Sequence, residues 1–116
     1  MEGAGDEVRA AANLFSLPPE LPAEELTEIL LQKDGIRVER ILSTGQASPP
    51  DFWYEQAEDE WVAVLQGDAS LQWEDGSVME MKSGDWLLIP SYKKHRVERT
   101  SIAPPCVWLA IFSPSL

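Results

Sequence analysis

The 116-residue sequence predicts an all-β fold, an antiparallel sandwich or barrel preceded by a short N-terminal helix. Three observations carry that expectation. Beyond Gly35, short β-rich runs follow one another to the C-terminus, turn residues separate them, and no helical spacing intervenes. Parallel strands need crossovers of a dozen or more residues, so strands this close together pair antiparallel.

Residues 1–20 read as a flexible or dimer-crossing arm and residues 21–116 as the barrel domain. The opening MEGAGDEVRAAA has no periodic apolar pattern to fix it. A helix is predicted over Pro22–Gln32. Glu24 and Glu25 suit its first turn, Leu26, Ile29 and Leu30 share one face, and Lys33 and Gly35 close it. The predicted strands are IRVERILST, DFWYEQ, EWVAVLQ, ASLQWE, SVMEMK, DWLLIP, HRVERTS and CVWLAIF. Between ASLQWE and SVMEMK stands Asp75-Gly76, a dipeptide that tolerates two successive positive φ angles and so predicts a two-residue type I′ hairpin.

A chain of this length suits one domain that buries roughly two thirds of its unfolded surface. Its 44% hydrophobic content, 25% charged content and five tryptophans fit a globular protein. Asp plus Glu number 20 against 9 Lys plus Arg, a formal charge of -11 that repels polyanions and argues against nucleic acid as a partner. The basic run Lys93–Arg96 reads as a solvated turn among acidic neighbours. The longest apolar run, Val107–Phe112, is far short of the ~20 residues that cross a bilayer, so no membrane span is expected. The single Cys106 and the acidic, small-residue N-terminus point to a reducing cytoplasm. Cys106 itself lies in a strand-like run and reads as a buried hydrophobe, not a nucleophile.

Alternation places Phe52, Tyr54 and Gln56 on one strand face and Trp53 and Glu55 on the other. Glu60 shares its face with Val62 and Val64, so inward valines bring an inward carboxylate that needs a partner. The sole histidine, His95, shares a face with Val97 and Arg99 and offers the same interior a metal ligand or a hydrogen-bonding group. The five tryptophans fall in strands, where packing outweighs stacking on a ligand.

From about Gly45 to Phe112 the spacing resembles the two motifs of the cupin family, small jelly-roll β-barrels. The family's first motif ends in HxH, three or four residues, Glu, six residues, Gly. Here Tyr54-Glu55-Gln56 stands in place of HxH, followed by AED, Glu60, WVAVLQ and Gly67. The second motif is Gly, five residues, PxG, two residues, His, three residues, Asn. This chain has Gly84, DWLLI, Pro90-Ser91-Tyr92, KK, His95, RVE and Arg99.

The resemblance implies an antiparallel jelly-roll barrel and, carried over by position, a metal set of Tyr54, Gln56, Glu60 and His95. Both histidines of the first motif are replaced, so affinity for zinc, copper or nickel is expected to be weaker than with His ligands, and a divalent zinc, iron, manganese or nickel ion is the expected cofactor. Three readings stay open: a metal at Gln56, Glu60 and His95 with Tyr54 nearby; a metal-free pocket that pairs Glu60, His95 and Arg99 with each other or with a small organic ligand; and satisfied structural polar groups. Arg99 can grip a ligand carboxylate in the pocket, with Tyr54 beside it, or pair on the surface with Glu98 or Glu80. The family hosts both enzymes and non-catalytic binding proteins, so neither a reaction nor a substrate follows. No nucleophile with an adjacent base is evident. Apolar residues on both faces of WVAVLQ and CVWLAIF, together with Leu14, Phe15 and Leu17 in the arm, predict a homodimer.

Overall fold

A computed structural model of the chain describes residues 8–116. Its strands are β1 (Leu26–Lys33), β2 (Ile36–Ser43), β3 (Asp59–Gln66), β4 (Asp68–Trp73), β5 (Val78–Lys82), β6 (Trp86–Ile89), β7 (His95–Thr100) and β8 (Cys106–Ser113). They form a five-stranded sheet, β1-β2-β8-β3-β6, and a three-stranded sheet, β5-β4-β7. All the pairings are antiparallel. The first three strands belong to the large sheet and β4 and β5 to the small one, from β5 to β8 successive strands alternate between the sheets, and the C-terminal β8 inserts between β2 and β3, as in a jelly roll. Among the described residues no helix is long and apolar enough to cross a membrane.

The helix expected over Pro22–Gln32 is not formed, and most of that segment is strand β1. The spacing of Leu26, Ile29 and Leu30 fits a helix face, but Asp34-Gly35 carries the stronger local instruction. Their φ angles are 53° and 81°, the two successive positive values of a type I′ turn. The turn folds β1 onto β2 with Lys33 opposite Ile36. Leu30 is an extra residue in that ladder, between the pairs Ile29–Glu39 and Leu31–Val38. The apolar spacing that suggested a helix is therefore split around a β-bulge.

Two further expectations need correction. DFWYEQ does not form a strand. Asp51 has φ of 66° just after Pro49 and Pro50, and Phe52 N donates to the Pro49 carbonyl in a turn. Only Tyr54 pairs, through an isolated bridge to His95 whose two N–H···O distances are 2.7 and 3.1 Å. The β4–β5 hairpin exists, but its turn is not a two-residue type I′. Gly76 has φ of 90°, whereas Asp75 is absent from the positive-φ residues. Gly76 N donates to the Trp73 carbonyl, Trp73 N donates to the Ser77 carbonyl, and the Asp75 carboxylate accepts from Ser77 N at 2.9 Å. This is the three-residue loop in which an ordinary turn is followed by a left-handed glycine. The Ser77 hydroxyl and amide hold the Asp75 carboxylate and lower its pKa.

The core lies between the sheets and joins Val62 and Val64, Ala69 and Leu71, Met81, Ile89, and Cys106, Trp108, Ala110 and Phe112. Each large side chain buried there contributes about 1.5–3 kcal/mol. Cys106 is fully buried, and burial pushes its thiol up to about 12, in keeping with packing and not nucleophilic chemistry. The other face of the large sheet is also apolar. Register aligns Leu31, Val38, Ile111, Trp61 and Leu88 in one row across all five strands. Leu31 and Leu88 at its ends are 53% and 46% exposed, and the Trp61 and Trp86 rings lie 5.7 Å apart on this face. Arg40, also on this side, pairs with Glu28 and donates to the Leu14 and Ser16 carbonyls at 3.0 and 2.6 Å, which ties the later part of the arm to its own chain. The expectation of a mobile start falls partly on residues 1–7, which lie outside the described residues.

Candidate functional site

At one end of the sandwich the two sheets enclose a cavity of about 250 Å³. Strand register builds its wall. Arg37, Phe112, Glu60 and Ile89 face inward as one row across β2, β8, β3 and β6. Glu39 and Ile41 follow at alternate positions of β2, and Glu25 and Thr27 reach the cavity from the start of the chain's first hairpin. Leu71, His95 and Val97 close it from the small sheet, and the loop before β3 adds Tyr54 and Gln56.

Tyr54, Gln56, Glu60 and His95, singled out from sequence, therefore line one cavity. His95 opens β7, is 4% exposed and points its ring inward. Its Nδ1 is 2.8 Å from the Lys93 carbonyl, which only accepts, so Nδ1 carries a proton and donates. Nε2 then faces Glu60 Oε1 at 3.5 Å, an ion-pair distance longer than a close hydrogen bond. Gln56 Nε2 donates to the same Glu60 oxygen at 3.4 Å. The Tyr54 ring stacks on the imidazole with centroids 5.4 Å apart and planes 23° apart, fixing its tilt. Burial alone would lower the His95 pKa, but the Glu60 bond, the Lys93 carbonyl and the Glu60 charge together raise it. Burial also raises the Tyr54 phenol, helped by the negative charges of Glu25, Glu60 and Glu39.

Arg99 is not in the cavity. Leu71 pairs with Val97 but Ser70 pairs with Arg99, so Glu98 is an extra residue in β7. The bulge reverses the alternation, and Thr100, 5% exposed and opposite Ala69, takes the inward direction. Arg99 turns outward, bonding Asp68 at 2.6 Å and Glu80 at 3.3 Å. The surface alternative applies, with Asp68 as a partner the sequence did not suggest.

Sequence reasoning missed Arg37, Glu39, Glu25 and Thr27. The signal for the first pair was present, since IRVERILS alternates and puts Arg37 and Glu39 on the face of Ile41. Arg37 donates to Glu39 at 2.7 Å and to both oxygens of Glu58 at 3.1 and 3.3 Å, with its guanidinium 4.4 Å from the Phe112 ring centre. Glu25 and Thr27 were hidden by the helix expectation.

The donor set does not fit the metal centre that the family pattern implies. Of the four positions only Glu60 and His95 bring a carboxylate and an imidazole, and these point at each other. Gln56 offers a neutral amide, and the raised pKa of Tyr54 keeps its phenol protonated. Among the described residues no three His, Cys, Asp or Glu side chains stand together as metal ligands.

The family model for the cupin domain matches residues 38–112. The chain belongs to the cupin family. A crystal structure from Ralstonia eutropha JMP134, described provisionally as a mannose-6-phosphate isomerase, is 42% identical, covers 90% of this chain and 98% of its own, and superposes with a TM-score of 0.84. An RmlC-like cupin from Desulfovibrio desulfuricans is 15% identical over 95% of this chain and 100% of its own, with a TM-score of 0.72. A cupin superfamily protein from Desulfitobacterium hafniense DCB-2 is 21% identical over 88% and 98%, with a TM-score of 0.67. No curated protein matches the sequence significantly.

Proposed function

We propose that this cupin binds a small polar organic molecule in the cavity and that Glu60 and His95, without a metal, form the proton-handling pair that meets it. The observation that carries the reading is the pair itself, a carboxylate and an imidazole from different sheets meeting at 3.5 Å against the cavity. The Lys93 carbonyl orients the ring, Tyr54 supports it and Gln56 aligns the carboxylate. An imidazole whose pKa is raised by the facing Glu60 can give and take a proton at one atom, Nε2. The isomerase description of the Ralstonia relative is in keeping with such proton transfer, although the phosphorylated sugar named there is a property of that protein.

The test is a thermal-shift screen of neutral sugars, amines and organic acids, repeated after chelation. A compound that raises the Tm of the wild type, with or without chelator, should lose its effect in His95→Ala and Glu60→Gln. Purified protein with stoichiometric zinc, iron, manganese or nickel, whose removal abolishes binding, would overturn the metal-free reading in favour of a metal site at Gln56, Glu60 and His95. The apolar outer row of the large sheet supports a homodimer through that face. A reducing cytoplasm suits the single, buried Cys106.

A further inference from the structure

The lining of the cavity is unbalanced in charge. Glu25, Glu39 and Glu60 face it, while Arg37 is its sole guanidinium, already shared between Glu39 and the neighbouring Glu58. With His95 protonated, four carboxylates still stand against two cations. Each inward carboxylate also has a free oxygen. Among the described residues Glu39 takes the Arg37 bond on Oε2, Glu25 takes the Ser43 bond on Oε2, and Glu60 takes both of its contacts on Oε1. Among the described residues the opposite oxygens of all three are without protein donors. Tyr54 and Trp108 add aromatic surface to the same wall.

Resting on the reading of the cavity as a ligand site, we infer that it selects a small organic cation, a protonated amine with an apolar body, and rejects phosphorylated or carboxylated ligands. The free oxygens accept the ammonium N–H groups, the aromatic rings favour positive charge, and the apolar body meets Ile41, Val62 and Leu71. A phosphate would bring more negative charge to carboxylates that already lack cations, with no unengaged basic group to receive it. The space, about 250 Å³, equals that of about eight waters at about 30 Å³ each, enough for an amine with one ring.

The experiment is calorimetric titration of the full chain with a series matched in shape and differing in charge: phenethylamine, 2-phenylethanol and phenylacetate, with mannose and mannose 6-phosphate beside them. Phenethylamine should bind at least tenfold more tightly than 2-phenylethanol, phenylacetate more weakly than either, and added KCl should weaken the amine alone. Glu25→Gln should narrow the ratio of amine to acid affinity at least fivefold. Glu39→Gln should do the same, and serves if the first variant folds poorly. Tighter binding of the alcohol, of phenylacetate or of either sugar than of the amine would overturn the charge selection while leaving the cavity a ligand site. Binding of none of the five would overturn both.

Discussion

Replacing Glu60 by glutamine should reverse the direction in which the only histidine of the chain is shifted. In the wild type, burial lowers the His95 pKa, and the Glu60 bond, the Lys93 carbonyl and the Glu60 charge together outweigh it. Glu60→Gln removes both Glu60 contributions and leaves burial, the largest single influence, against the Lys93 carbonyl alone. The pKa should then fall below the ordinary value of 6.5. Two unit charges 3.5 Å apart attract by about 1 kcal/mol at the dielectric of water and about 5 kcal/mol at an effective value near 20. Desolvation opposes that gross figure, so a stability loss of about 1 kcal/mol or more is expected at pH 5.5, where His95 is charged. A raised folded pKa means that the His95 contribution is complete below the unfolded value and fades as pH rises through the folded one. In the variant the contribution is lost as pH falls. The stability gap between the two proteins, from urea unfolding, should therefore be widest at low pH and close as pH rises. The imidazole titration is directly readable by proton NMR, since the single histidine gives one Hε1 resonance to follow. An unchanged titration midpoint in the variant, or a gap independent of pH, would refute the pairing.

Gly76 and Gly67 separate backbone strain from crowding. A Cβ at Gly76, φ 90°, meets nothing within 4 Å, so Gly76→Ala should cost about 1–2 kcal/mol from the left-handed backbone alone. At Gly67, φ 80°, a Cβ would lie 2.9 Å from the Pro105 carbonyl oxygen and 3.0 Å from Cys106 Cα, and would displace the Ser101 hydroxyl that accepts from Asp68 N. Gly67→Ala should be clearly more damaging, and equal losses in urea unfolding would contradict the crowding. For the outer row, Ile111→Asp should convert a dimer to monomer in sedimentation equilibrium while leaving the far-UV CD spectrum intact; a wild type that sediments only as monomer at micromolar concentration would remove the dimer.

The sequence announced its β-runs wherever alternation and turn residues agreed, which is why β2 to β8 lie close to their expected positions. It misled where two patterns overlapped. Leu26, Ile29 and Leu30 satisfy a helical period only because the bulge at Leu30 breaks the period of two, and the pairing with β2 that decides the matter is tertiary. WYEQ has the composition of a strand, yet it follows two prolines and a left-handed Asp51, so it meets β7 at one bridge. Of the site, Tyr54, Gln56, Glu60 and His95 were recoverable because motif spacing encodes the barrel's register. Arg37 and Glu39 were open to the same alternation argument but belong to no motif.

The extra residue in β7 shows that equal spacing in sequence does not guarantee equal direction in space. Before Glu98 the strand offers its odd-numbered residues, His95 and Val97, to the interior; after it, the even-numbered Thr100. Glu98 thus works as a half-turn written into the chain. Were Glu98 instead paired with Ser70, with every amino acid of the second motif unchanged, Arg99 would come opposite Ala69, in a core that now holds a hydroxyl bonded to the Gln46 carbonyl. A one-residue shift in this pairing can therefore exchange a neutral interior for a cationic one, a route to new specificity that substitutions counted position by position would not reveal.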